Sequence, residues 1–239
     1  VSRQLPLPFP HTTDFDDAPF LRAPSNETAL AWLDHGTWPH GRLLLWGEPG
    51  CGKTHLLHHW SRQTNARILA GPQLLLEPPL QPIAVDDADL APELALLHLL
   101  NAASEAGLPV LLTAALPPSR WRFAIPDLAS RLRATTAVEI GPAEDSLLRM
   151  LLARLLADRQ LAVAEPVHEY LLRRLPRTPA AIREAASRLD RLALASGHRI
   201  TRGLAAHVIA EIVGEDGPAD DEDSDERAVS GSPQACALV

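Results

Sequence analysis

The chain has 239 residues, 46% of them apolar, enough for a sizeable core in one large domain or two small ones. No apolar run approaches the roughly 18 residues that span a bilayer, and no basic segment precedes an apolar stretch at the N-terminus, so neither membrane span nor secretion signal is expected. Residues 214–227, GEDGPADDEDSDER, hold eight acids and one arginine and supply most of the formal net charge of −8; elsewhere 22 acids face 21 bases, and so neutral a body argues against a dedicated DNA-binding domain.

Residues 1–22 read as an extended leader. Leu5, Leu7 and Phe9 each precede a proline, and a residue before proline is pushed out of the helical region. Alternate side chains of an extended chain tend to point the same way. The three therefore form a candidate row of apolar anchors, with Gln4 as a polar hook. Fully burying each yields roughly 1.5–3 kcal/mol, against an association cost of at least about 4 kcal/mol. The surplus predicts roughly micromolar binding, the strength of a tether.

A helix is predicted over SNETALAWLDH, residues 25–35, with Ser25 or Asn26 as its cap. From residue 42 strands and helices alternate. RLLLW (42–46) is an apolar strand, HLLHHWSRQ (55–63) a helix, and ARILA (66–70) and PIAVDD (82–87) are further strands. PELALLHLLNAASEAG (92–107) is a helix with proline near its start and glycine at its end. LPVLLTA (108–114) is a strand, 126–133 a short helix and TTAVEI (135–140) a strand. This order predicts an α/β domain over 23–141, with a parallel sheet and helices on both faces. After Pro142 only helices are read, at 143–160, 166–175, 179–196 and 202–213, so a small all-helical domain is expected over 142–213. Residues 214–239 read as an acidic, disordered, solubilising tail. Of the two cysteines, Cys51 lies in a glycine-rich loop and Cys236 in the tail. No structural disulfide is expected, which fits a reducing cytoplasm.

The stretch GEPGCGKT, residues 47–54, matches the phosphate-loop pattern in full and sits between a strand and a helix. The candidate nucleotide contacts are Gly47, Glu48, Pro49, Gly50, Cys51 and Gly52, then Lys53, Thr54 and His55. Glycines let backbone N–H groups curl around phosphate oxygens. Lys53 supplies a point charge for the β and γ phosphates, Thr54 a hydroxyl for Mg²⁺, and the helix that follows aims its positive end at the anion. Cys51 occupies a variable position and reads as a space-filler. At the end of IAVDD stand Asp86, read as the second Mg²⁺ ligand, and Asp87, placed to orient an attacking water. ADP or ATP with Mg²⁺ is therefore the expected cofactor.

A helical domain directly after a nucleotide domain is the arrangement of AAA+ ATPases. In IPDLASRL, residues 125–132, Arg131 falls at the end of a short helix, where AAA+ proteins carry an arginine that reaches a neighbouring subunit's nucleotide. QLPLPF, APSNETA (23–29), GEPGCGKTHL, the Asp-Asp pair, LTAALPP (112–118), PDLASRL and RLDRL (188–192) together resemble the Hda family, homologues of the bacterial initiator DnaA. The resemblance spans about residues 3–213 and implies an AAA+ P-loop fold with a helical lid. It implies that the chain binds the DNA polymerase III β sliding clamp, meets DnaA–ATP and provokes hydrolysis of the ATP held by DnaA, limiting replication initiation. On this footing Arg131 is an arginine finger acting in trans, and Thr113 keeps the polar position of the sensor segment. Gln4, Leu5, Leu7 and Phe9 become the clamp-binding residues, and a homo-oligomer is also allowed. The initiator's C-terminal helix-turn-helix is not read after residue 213, so little direct DNA binding is expected.

Two positions depart from the family. Ala115 and Leu116 stand where an acid and an arginine are usual. The lid arginine that contacts the terminal phosphate falls at Ala180, with Arg177 and Arg183 shifted from it. Both predict slow hydrolysis by the chain itself. The competing readings are a DNA-remodelling ATPase, such as a helicase loader or truncated initiator, and a small-molecule phosphoryl transferase. The first predicts a basic face and steep salt dependence; for the second no substrate-binding acid cluster is found.

Overall fold

The computed structural model describes residues 21–196 and 199–215. The leader anchors Gln4, Leu5, Leu7 and Phe9, and the tail beyond 215, lie outside the described residues. Five strands, β1 (Arg42–Trp46), β2 (Arg67–Ala70), β3 (Ile83–Asp86), β4 (Val110–Ala114) and β5 (Thr136–Glu139), form one sheet in the order β2-β3-β4-β1-β5. All neighbours are parallel. Leu43 of β1 stands level with Leu111 of β4 and Thr136 of β5.

Alternation along the strands gives the sheet two apolar faces. Leu44, Val85, Val110 and Leu112 point to one, covered by α3 (Glu93–Glu105) and α4 (Pro126–Arg133) through Leu96, Leu99, Leu100, Leu128 and Leu132. Leu43, Leu45, Ala84 and Leu111 point to the other, covered by α1 (Glu27–His35) and α2 (Lys53–Thr64) through Leu30, Leu33, Leu56, Leu57 and Trp60. β1 is an interior strand between β4 and β5, and Leu43, Leu44 and Leu45 are 0% exposed. Truncating any of them to alanine should cost about 2–5 kcal/mol. A strand buried on both sides holds its C-terminal end still, and that end carries the phosphate loop.

The helices after Gly141 build a third core. α5 (Asp145–Asp158), α6 (Glu165–Arg174), α7 (Pro179–Ser196) and α8 (Arg202–Glu215) meet through Leu152, Leu171, Ile182, Leu189, Val208 and Ile212. Pro179 takes the first position of α7, and the Thr178 hydroxyl accepts the Ala181 N–H at 3.2 Å, an N-cap. The expected cap of α1 is corrected. Asn26 occupies the cap position, but its side chain bonds backwards, accepting from Ala23 N at 3.0 Å and donating to Leu21 O at 3.0 Å. Ser25 gives its N–H and hydroxyl to Glu144, at 2.7 and 2.9 Å, tying the segment before α1 to the entry of α5.

Candidate nucleotide site

Between β1 and α2 the chain must turn sharply under a tight ceiling. A Cβ on Gly47 would lie 2.5 Å from the Ile140 carbonyl oxygen, so a side chain there would displace β5's exit. Gly52, with φ +112°, takes a conformation that other residues rarely adopt. Lys53 is only 8% exposed. Its ammonium donates to the carbonyls of Gly47 at 2.7 Å and Glu48 at 3.0 Å, which holds the charge at the mouth of the loop. Cys51 is half-buried against the α1–α2 core, as a space-filler should be, and burial pushes its thiol pKa up.

Thr54, Asp86 and Thr113 converge. Asp86 accepts from the Thr54 hydroxyl at 2.9 Å and from the Thr113 hydroxyl at 2.5 Å. The Asp87 N–H in turn donates to the Thr113 hydroxyl at 3.0 Å. Thr113 thus joins the two acids rather than merely ending a strand. An octahedral Mg²⁺ with bonds of about 2.0–2.1 Å sets adjacent ligand oxygens about 2.9 Å apart, so Thr54 and Asp86 fit one ion. Such an ion would neutralise phosphate charge. Among the described residues no three His, Cys, Asp or Glu side chains make a metal cluster, so phosphate and water oxygens would have to complete the shell. Asp87 is exposed, in the left-handed region at φ +52°. Its carboxyl pKa is raised by partial burial, then by Asp86 and Asp89, with Lys53 opposing.

His55 follows Thr54 in α2. Burial first, then the charge of Arg183 and neighbouring side chains of α2, lower its pKa to about 3, so it is neutral near pH 7. Arg183 belongs to α7, whose first turn rests on the phosphate loop: a Cβ on Gly50 would lie 3.2 Å from the Thr178 Cβ and 3.4 Å from the Ala180 Cβ. Arg183 is three residues after Ala180, on the same helix face. It is half-buried, and burial lowers its pKa. Arg177, the other shifted arginine, pairs with exposed Asp145 at the lid surface instead. In sequence Arg183 is shifted from Ala180, where the resemblance places a lid arginine; one helical turn sets it on the same loop-facing side as Ala180.

Arg131 is elsewhere. It lies in the last turn of α4, which leads into β5 at Thr136, level with the beginning of β1, whereas the phosphate loop leaves the end of β1. About 13 Å of strand separates the two ends. Arg131 pairs with Asp127 at 3.1 Å, one turn back, with side chains 35% and 56% exposed. Such an exposed pair is worth only about 0.3–0.5 kcal/mol. The neighbouring Arg133 is exposed. Ala115 donates its N–H to Asp89 at 3.1 Å. A cleft of about 260 Å³ is bounded by Asp89, Leu116, Trp121 and Phe123, with no phosphate-loop residue in its lining.

Known structures share the fold. No protein-family model matches the chain. Domain III of the Thermotoga maritima replication initiation protein DnaA superposes with a TM-score of 0.70 at 16% identity, covering 84% of this chain and 97% of that one. The replication initiator DnaA bound to AMPPCP and single-stranded DNA gives 0.62 at 17% identity, over 87% and 75%. The Thermotoga maritima RuvB Holliday junction branch migration motor gives 0.59 at 20% identity, over 78% and 66%. The chain therefore has the AAA+ P-loop ATPase fold, a parallel sheet between helices with a helical lid. At these identities its likeness to DnaA and RuvB is one of fold. No helix among the described residues is long and apolar enough to cross a membrane.

Proposed function

We propose that this chain is a nucleotide-binding AAA+ adaptor that acts on a second AAA+ protein, a DnaA-type initiator, rather than mainly on its own nucleotide. ADP or ATP binds at Gly47–Thr54, with Mg²⁺ at Thr54 and Asp86 and Arg183 closing from the lid. Arg131 enters the partner's site as an arginine finger. The leader residues Gln4, Leu5, Leu7 and Phe9 tether the chain to the sliding clamp, and the outcome is restraint of replication initiation.

The observation that carries this reading is the opposition of Arg131 to its own phosphate loop across the length of β1 and β5. An arginine so placed has no access to its own nucleotide, and a finger neutralises charge only where it touches the transferred phosphoryl group. Ala180, with no charge where the lid meets Gly50, fits slow turnover at home. The deciding experiment mixes purified chain, DnaA–ATP and DNA-loaded clamp, and measures conversion of DnaA-bound ATP to ADP. Stimulation that requires both Arg131 and the leader anchors supports the reading. Brisk hydrolysis by the isolated chain with no effect on DnaA refutes it.

A DNA-remodelling ATPase is the second reading. The cleft beside Trp121 and Phe123 favours it, since exposed Arg120 and Arg122 flank it and aromatics with cations suit single strands. It requires DNA affinity that falls steeply with salt.

A further inference from the structure

Arg42 opens β1 and is 6% exposed, yet no carboxylate among the described residues meets it. Its Nε and Nη1 are sealed from solvent without a hydrogen-bond acceptor. Strand alternation puts its side chain on the face of Leu44, the face covered by α4. It stands one residue before Leu43, which is level with Thr136. Thr135, one residue before Thr136, donates its hydroxyl to the Arg131 carbonyl at 3.0 Å. Arg42 and Arg131 are therefore neighbours at the same edge of the sheet. Burial, and after it the charge of Arg131, push the Arg42 pKa down. An arginine nevertheless stays charged in proteins.

Two like charges at one end of the sheet, one with its Nε and Nη1 buried without an acceptor, are costly in a folded chain. Asp127 answers one charge of the two, from an exposed position. No side chain among the described residues supplies the second counter-charge. A terminal phosphate matches it best, because it brings up to two negative charges and several oxygens to two guanidinium groups; a carboxylate brings one charge and leaves the excess.

We propose that Arg42 and Arg131 together form a two-guanidinium cradle for a phosphate dianion, the terminal phosphate of a nucleotide held by a neighbouring AAA+ protomer. The source of that phosphate rests on the trans role proposed for Arg131. The cradle itself rests on the buried, unanswered guanidinium. Arg131 makes the approach from the surface, and Arg42 supplies the second charge from behind it. The arriving oxyanion offsets the charge of Arg42, which the fold itself leaves unanswered.

The test uses the full chain carrying Lys53→Ala, so that its own phosphate loop does not compete, and inorganic pyrophosphate as probe. Pyrophosphate should raise the melting temperature and shift the arginine Nε–H resonances of both residues. Adding Arg42→Met should weaken pyrophosphate binding about tenfold or more, as should adding Arg131→Ala. Equal affinity with and without Arg42→Met, or no response of the Lys53→Ala chain, overturns the cradle. In the otherwise parental chain Arg42→Met should raise the melting temperature while lowering stimulation of a partner's hydrolysis. A lower melting temperature would show that the guanidinium is satisfied within the fold, and overturns the proposal. Arg42→Lys, which keeps the charge without the fork, should fall between in both measurements. If Arg131→Ala abolishes stimulation and Arg42→Met leaves it intact, the neighbour's nucleotide is not the ligand and the proposal fails. If the parental chain stimulates no partner, the proposed function fails while the pyrophosphate result still supports the cradle.

Discussion

The two ends of the sheet treat charge in opposite ways. At the end that carries the phosphate loop, the principal charged groups are held within the fold. Lys53 sits on the Gly47 and Glu48 carbonyls, and Asp86 takes the hydroxyls of Thr54 and Thr113. At the other end Arg42 is buried without an acceptor, and Arg131 is held only by an exposed aspartate. Hydrogen bonds made within the fold keep reacting groups in place before a ligand arrives, which reduces the ordering cost of binding. Charges left unanswered do the reverse, and are stabilised only by a partner. The same sheet thus carries internally held polar groups at one end and an unanswered guanidinium at the other.

The sharpest way to break that comparison is Arg131→Ala. Arginine fingers contribute about 10³–10⁵ in rate to the site they enter. The variant should lose nearly all stimulation of hydrolysis on a DnaA-type partner while its own affinity for ADP, measured by calorimetry, is unchanged. Arg133→Ala, two residues along and exposed, is the control and should stay near parental. A parental rate from Arg131→Ala at equal clamp occupancy would reduce the pair with Asp127 to a surface ornament.

Lys53→Ala tests the opposite end. It removes a charge-assisted contact to phosphate, so ADP and ATP affinity should fall by about 10–100-fold. Unchanged calorimetric affinity would dismiss the loop as a binding site. Arg183→Ala is a finer instrument. If the lid arginine reaches the terminal phosphate, ATP affinity should drop about tenfold with ADP affinity nearly constant. Equal losses for both nucleotides would mean that Arg183 supports the packing of α7 on the loop and not the phosphate.

How far the sequence could be read differs between the same two ends. Apolar runs and their alternation made the five strands and the helices on both faces legible, because burial on a sheet leaves a periodic trace. The phosphate loop was legible because its glycines answer a backbone need: Gly47 has Ile140 O where a Cβ would go. The place of Asp86 at the end of β3 was legible from the apolar run before it. Ser25 looks like a helix cap in sequence because its partner, Glu144, is 119 residues away and nothing local signals it. Arg42 passes as the polar first residue of a strand. Only the register that sets β1 beside β5 reveals a second arginine next to Arg131. Arg183 needed the contact of Ala180 with the loop before one turn of helix could be counted from it.

The smallest effect belongs to Asp87, and it qualifies the contrast by showing that the holding end also carries some strain. Partial burial, Asp86 and Asp89 hold its carboxyl pKa above the ordinary aspartate value, with Lys53 opposing. A carboxyl with a raised folded pKa binds more protons in the folded state, so its contribution to stability falls as pH rises through that window. Near neutral pH the ionised side chain is therefore a net cost to the fold. Its backbone lies at φ +52° and ψ +51°, a left-handed conformation that asparagine also tolerates. Asp87→Asn removes the charge without disturbing the turn, and should melt slightly above the parent near neutral pH. As pH falls below the ordinary aspartate range the parent becomes protonated, and the gap should narrow. The same substitution should slow whatever hydrolysis the chain performs itself, because an amide cannot take a proton from the attacking water. A gap that does not change with pH would assign the gain to the backbone alone. A variant that melts below the parent near neutral pH would show that the Asp87 carboxylate makes a stabilising contact, and would remove it from the groups kept at a cost for chemistry.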